Sequence, residues 1–353
     1  ASLADIDNDL DTDIFIPRRG RRNLLFINQG VNEEGIPRFS EAARERGLHL
    51  PDSVQHSSSG IFADIDNDGD ADLFITNMTG SNRLYLNDGR GFFEDITARA
   101  GLVDSAISRT AVFFDSDNDG DLDLYVGNRG RSRFYRNSPG QGFLDQTREN
   151  DAGAFGYLSG LACGDTDMDG DIDLWLSFEN DANKLLRNKT NNRESVRLRL
   201  EGTVSNRDAI GARVFFYAKT DTGDTLLGMR AVGGNDAYNS QNSRIVHFGT
   251  SAGMPDYAVV RFPSGIVKRI KGLEKGRVLQ IREQEGKELF LTQVQKFIVR
   301  KVKSDNCRKE FFFITISLVL LFSVNFFWIK RKFGLTRLSL WSFYIPLAAC
   351  LGF

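Results

Sequence analysis

The chain has 353 residues, 41% apolar and 26% charged, with 34 glycines and 28 phenylalanines. That is length for two domains with their own cores, and the composition excludes a disordered or collagen-like chain. The net charge of −2 hides an asymmetry, because twenty of the 47 acidic residues lie in four nine-residue windows. The remainder is net basic, but its charge is dispersed and lacks interleaved aromatics, so no nucleic-acid partner is expected.

Three widely spaced cysteines, Cys163, Cys307 and Cys350, support neither a disulfide framework nor a zinc site. Cys163, in "GLACGD", reads as a small buried residue; Cys307 precedes an apolar segment, where palmitoylation is conceivable. The chain opens on Ala1 directly into an acidic window, which we read as a native N-terminus lying upstream.

The windows are "DIDNDLDTD" at 5–13, "DIDNDGDAD" at 64–72, "DSDNDGDLD" at 115–123 and "DTDMDGDID" at 165–173, with starts 59, 51 and 50 residues apart. Their flanks recur in phase. A small-apolar run ("SGIFA", "TAVFF", "GLACG") precedes, and "LFITN", "LYVGN" or "LWLSF" follows. Next come "NRLYLN", "SRFYRN" or "NKLLRN", then a glycine-bearing turn and "GFFEDIT" or "GFLDQT". Each unit reads as four short strands, the blade of a β-propeller, with a solenoid as the other architecture of such period. About four units are visible and the first begins partway through, so an open or incomplete propeller is expected over residues 1–190. "SEAARERGL" at 40–48 is expected to form a local turn of helix in an inserted loop.

In these windows carboxylates stand at positions 1, 3, 5, 7 and 9. Calcium takes six to eight oxygens, and such a loop can wrap it with side chains at 1, 3 and 5 and a backbone carbonyl at 7. By that assignment Asp64, Asp66, Asp68 and Asp72 are side-chain ligands and Asp70 offers its carbonyl, with Gly69 making the sharp turn. The same roles fall on Asp115, Asp117, Asp119, Asp121 and Asp123, and on Asp165, Asp167, Asp169, Asp171 and Asp173. A plain acidic surface turn is the alternative. In the first window, Asp5, Asp7, Asp9, Asp11 and Asp13, Leu10 replaces the glycine, and a branched residue resists positive φ. The calcium is expected to be structural, pinning the turn between adjacent strands.

"GIFADIDNDGDADLFITN" and "AVFFDSDNDGDLDLYVGN" resemble the FG-GAP (VCBS-type) repeats of integrin α-subunit propellers and related bacterial surface proteins. Residues 191–285 read as a small all-β domain of alternating strands such as "VRLRL", "ARVFFY" and "AVVRF". "SNRDAIGARVFFYA" and "DYAVVRFPSGIVKRI" in this segment resemble the ASPIC/UnbV domain that follows FG-GAP repeats in the cartilage acidic protein family and its bacterial relatives. It departs from that pattern at "HFGTSAG" and "RFPSG". The resemblance implies no catalytic mechanism, and no catalytic constellation or other cofactor is read here. His247 reads as a structural strand histidine. His49 and His56 lie in an irregular stretch, 44–60, without metal-ligand spacing. The polar run "GGNDAYNSQNS" reads as an ordered loop or a binding face.

Residues 286–310 form a basic linker before "FFFITISLVLLFSVNFFWI" at 311–329, nineteen uncharged residues. As a helix these span roughly 28 Å, close to the hydrocarbon thickness of about 30 Å, so a transmembrane helix is expected. An apolar stretch at 338–353 reads as the start of a second span. The sequence thus predicts an all-β chain with a C-terminal anchor, its β domains extracytoplasmic, binding a protein or glycan ligand in adhesion or recognition. The alternatives are the non-catalytic part of a polysaccharide-acting enzyme and the ectodomain of a multi-pass sensor or transporter.

Overall fold

The computed structural model describes residues 1–48, 56–190, 192–233 and 238–284. The expected spans at 311–329 and 338–353, and the linker before them, lie outside the described residues, as does His49. Among the described residues no helix is long and apolar enough to cross a membrane. All of the regular structure described is β.

Alternating apolar residues between glycine and aspartate turns produce three four-stranded antiparallel meanders. The first comprises β1 (Ser2–Ala4), β2 (Asp13–Ile16), β3 (Leu24–Val31) and β4 (Pro37–Glu41). The second comprises β5 (Ser57–Ala63), β6 (Asp72–Asn77), β7 (Arg83–Asn87) and β8 (Phe93–Asp95). The third comprises β9 (Ile107–Phe114), β10 (Asp123–Arg131), β11 (Arg133–Ser138) and β12 (Gly142–Asp145). A fourth unit has, among the described residues, β13 (Phe155–Gly164), β14 (Asp173–Phe178) and β15 (Lys184–Leu186), and is joined to the third where Arg129–Arg131 pair with Phe155–Tyr157.

This is the four-strand repeat expected from the sequence, with two differences. Residues 40–41 belong to the end of β4, so the expected turn of helix starts later and is a single turn closed by the i→i−4 bond Arg46 N–Ala42 O (2.9 Å). The "irregular" stretch ends at His56, which bridges to Arg19, because Ser57 already opens β5.

Apolar residues on facing sheets close three cores between successive units. Phe15, Phe74 and Tyr125, alike in position on their second strands, are each at most 1% exposed against the following unit. Trp175 holds that position in the fourth unit and is 49% exposed, because no described sheet follows it.

The chain then forms a sandwich of two sheets. One has β16 (Ser195–Glu201) between β19 (Ile245–Gly249) and β22 (Val278–Arg282), the latter in parallel. The other runs β18 (Gly223–Ala231), β17 (Arg213–Thr220), β20 (Tyr257–Arg261) and β21 (Val267–Lys271), all antiparallel. Val196, Leu198, Val214 and Val260 fill its core, and Phe216 stacks on Phe248 at 4.2 Å between centroids. The four units and the sandwich pack into one compact body, Ala1–Glu285.

Candidate metal centres

Each acidic window connects the first and second strands of its unit, so all four loops share one backbone setting. Positive φ falls at two places in each. Position 6 is Leu10 (φ 74°), Gly69 (95°), Gly120 (97°) or Gly170 (105°), and position 4 is Asn8, Asn67, Asn118 or Met168, at 61–62°. Leu10 therefore takes the turn it was expected to resist. Its N–H reaches Asp5 Oδ2 at 3.0 Å, as Gly120 N reaches Asp115 Oδ2 at 2.9 Å and Gly170 N reaches Asp165 Oδ2 at 3.1 Å.

The ninth-position carboxylate staples each unit. Asp13 accepts from Ile6 N (3.1 Å) and Asn28 N (2.7 Å), and Asp72 from Ile65 N (3.1 Å) and Asn87 N (2.9 Å). Asp123 and Asp173 repeat the pattern with Ser116 and Asn137, and with Thr166 and Asn188. Each oxygen thus ties the loop or the third strand, and in Asp123 and Asp173 the loop-facing oxygen also accepts the Ser116 or Thr166 hydroxyl. At position 5, Asp9, Asp68, Asp119 and Asp169 accept the N–H of Asp11, Asp70, Asp121 and Asp171 and shape the turn.

Carboxylate oxygens within 4.8 Å of one another are offered by Asp5, Asp7 and Asp13; by Asp64, Asp66 and Asp72; by Asp115, Asp117 and Asp119; and by Asp165, Asp167 and Asp169. The Oδ1 atoms of Asp5, Asp7, Asp64, Asp117 and Asp165 are buried and have no hydrogen-bond partner. Orphaned anionic oxygens converging in one loop are costly unless a cation satisfies them. Oxygen-only donors at this spacing fit a hard divalent ion such as calcium.

The seventh-position carboxylates turn away to another task. Asn8 Nδ2 donates to Asp70 Oδ1 (2.7 Å), Asn67 to Asp121 (2.6 Å) and Asn118 to Asp171 (2.8 Å), each binding one unit to the next. A second tie runs back: Asn87 donates to Ile6 O (2.8 Å), Asn137 to Ile65 O (2.9 Å) and Asn188 to Ser116 O (2.7 Å). Met168, with no described unit beyond it, is 74% exposed.

The loops also seat the sandwich, a role the sequence reading missed. Every first-position aspartate meets it. Arg213 pairs with Asp5 at 2.6 Å, Met229 N donates to Asp64 Oδ2 (2.6 Å), Gly249 N to Asp115 Oδ2 (3.0 Å), and Arg197 pairs with Asp165. Buried Arg230 donates to Gly120 O (2.5 Å) between Asp64 and Asp115, and His247 Nε2 lies 3.0 Å from Gly170 O. The position-6 glycines lie close under the sandwich: a Cβ on Gly69 would meet the tip of Leu226 at 2.9 Å, and one on Gly170 would meet Ser195 Oγ at 3.3 Å. Leu10 is 51% exposed, so its side chain meets no such obstacle. Arginines inside apolar strands ("SVRLRL", "GARVFF", "LGMRAV") were the signal available for this seam.

The polar run falls on the same seam where it is described. Asn242 Oδ1 accepts from Cys163 N (3.0 Å), Ser243 N donates to Cys163 O (2.9 Å), and Ser240 bonds to Leu161, so residues 240–243 line β13. His247 is buried, as a structural histidine should be, and burial lowers its pKa to about 4.

Burial raises the loop carboxylates: Asp13 and Asp115 to about 6, Asp64 and Asp123 to about 7, and Asp72 to about 9. Arg230 and backbone N–H groups act against that rise at Asp64 and Asp115 without cancelling it.

The repeats and the sandwich define the class. Residues 5–75, 64–126 and 115–176 match FG-GAP-like repeats, and residues 202–288 match the ASPIC and UnbV domain. The chain carries FG-GAP-like repeats followed by an ASPIC/UnbV domain, and it is homologous to cartilage acidic protein 1. It is 29% identical to that protein of Xenopus tropicalis over 279 residues, 75% of this chain and 41% of the relative. The Homo sapiens protein is 28% identical over 298 residues, 79% of this chain and 43% of the relative. The chain thus spans less than half the length of these relatives. Among solved structures, it is similar to the Tc holotoxin pore of Photorhabdus luminescens at 16% identity and a TM-score of 0.31, covering 56% of this chain and 10% of that one. An Agrocybe aegerita lectin specific for non-reducing terminal N-acetylglucosamine is similar at 17% identity and a TM-score of 0.30, covering 53% and 52%. Neither score reaches that of a shared overall fold.

Proposed function

We propose that the chain is an extracytoplasmic, membrane-anchored recognition or adhesion module. Its repeat units are blades of a β-propeller, and calcium in the four loops holds blades and sandwich as one rigid scaffold. The observation that carries this reading is the double engagement of the first-position aspartates. One oxygen of Asp5, Asp64 and Asp165 contacts the sandwich while the other is buried and orphaned in the loop.

In this assignment the side chains at positions 1, 3, 5 and 9 and the carbonyl at position 7 hold the ion. The seventh carboxylate remains free to receive the neighbouring asparagine. The bound cation supplies charge compensation and geometry, not a reaction. The binding surface for a protein or glycan then lies on loops presented by a stiff frame. Extracellular calcium modules bind at roughly 10⁻⁴ to 10⁻³ M, which suits an extracytoplasmic setting.

Thermal unfolding of the whole chain in millimolar calcium and in EDTA tests the scaffold. Chelation is expected to lower the Tm by several degrees and to expose the arginine seam to proteolysis. An unchanged Tm would exclude structural calcium. A glycan and protein array probed with and without calcium tests recognition, and the expected result is a calcium-dependent partner.

A further inference from the structure

Among the described residues, three of the four units close with an outer strand and the fourth shows none. In each complete unit the backbone of one third-strand residue points outward and is satisfied there. Leu84 N donates to Thr97 Oγ1 (2.9 Å) and Leu84 O accepts from Ile96 N (2.9 Å). Phe134 does the same with Thr147 Oγ1 (2.9 Å) and Gln146 N (3.0 Å). Leu25 O accepts from Ala42 N (2.8 Å). The corresponding Leu185, on β15, has neither partner among the described residues; β15 pairs with β14 alone. Leu185 is 39% exposed where Leu25 and Leu84 are fully buried.

The side chains around this edge repeat as well. Arg83 pairs with Asp95 at 3.2 Å and Arg133 with Asp145 at 3.1 Å, each on its unit's own outer strand. Lys184 stands in their place, with its ammonium 5.4 Å from the Phe178 ring and no carboxylate partner among the described residues. Phe93 lies opposite Asn87 and Phe143 opposite Asn137, both buried, whereas no described residue lies opposite Asn188.

We propose that the outer edge of β15 receives an extended segment carrying the chemistry of this chain's own fourth strands. That chemistry is a phenylalanine, an acidic residue two further on and a threonine two beyond that. Main-chain bonds to Leu185 supply the attachment. The acidic residue pairs with Lys184, and the threonine hydroxyl takes the Leu185 N–H. A second copy's β15 is the wrong occupant, because it would set Lys184 and Arg187 against like charges across the new ladder. An uncovered edge of this kind is otherwise a site of uncontrolled pairing.

The probe is a synthetic peptide of residues 91–102, GFFEDITARAGL, added to the full chain in calcium. Fluorescence anisotropy reads binding and amide hydrogen exchange reads Leu185. Saturable binding with at least tenfold slower exchange at Leu185 is expected. A peptide with Asp95→Lys and Thr97→Val should bind at least tenfold more weakly. The protein variant Lys184→Glu should lose affinity for the native peptide and recover it for a peptide with Asp95→Lys alone. Absence of binding, equal binding of both peptides, or protection of Leu185 through self-association alone overturns the proposal.

Discussion

Leu10 stands where three glycines stand, at φ 74°, and its exposure explains why it is tolerated. A left-handed conformation still costs a branched residue about 1–2 kcal/mol. Leu10→Gly is therefore expected to stabilise the protein by about 1 kcal/mol in urea unfolding, with the calcium response unchanged. Glu283 shows the opposite use of a carboxylate. It accepts N–H bonds from Thr203 (2.7 Å), Val204 (2.6 Å) and Ser205 (2.8 Å), besides hydroxyls of Ser205 and Ser264. Those bonds outweigh burial and hold its pKa at about 2, below the ordinary 4.5. A depressed folded pKa gives stability that is present above pH 4.5 and lost as pH falls through 2. Glu283→Gln should cost about 2–3 kcal/mol at neutral pH, and its unfolding curve should converge with the parent's near pH 2.

At the scale of elements, the loops act as couplers between neighbouring sheets. The asparagine at position 4 reaches the next unit's seventh-position aspartate three times, and Met168 marks where that chain of bonds stops among the described units. Asn67→Gly keeps the positive φ and removes only the side chain, so it isolates the bond to Asp121. A loss of about 1–2 kcal/mol is expected. Met168→Asn, facing no described unit, should change stability by no more than about 0.5 kcal/mol. Equal effects of the two substitutions in chemical denaturation would remove the coupling role. The outer strands, by contrast, were readable in the second and third units from their shared aromatic–acidic pattern. Strand β4 was obscured because Ala42 and Ala43 continue a helix-like run after it.

At the scale of the whole molecule, the raised pKa values make the metal-free protein respond to pH against the usual direction. Asp64 and Asp123, at about 7, and Asp72, at about 9, lie above the ordinary 3.8. A raised folded pKa contributes stability that is full below pH 3.8 and is lost as pH rises through those values. In EDTA the Tm is therefore expected to fall as pH rises from 5.5 to 8.5. Saturating calcium should flatten the dependence, because the ion replaces the protons. A Tm in EDTA that rises over that interval would show that the carboxylates already carry enough compensation from arginine.

By itself, the sequence determined the repeat, its four-strand pattern and the four acidic loops. Strand alternation and metal-type spacing are local properties, written within a dozen residues. It did not determine what the loops face. Arg197, Arg213, Arg230 and His247 look like ordinary strand residues, and they become the counterparts of Asp165, Asp5, Asp115 and Gly170 only when the sandwich folds back over the units. Likewise, the strand pattern of "NKLLRN" is complete in sequence, and only the tertiary structure shows that its outer edge has no partner among the described strands. Local chemistry selects conformations residue by residue, whereas burial and partnership depend on segments far apart in the chain.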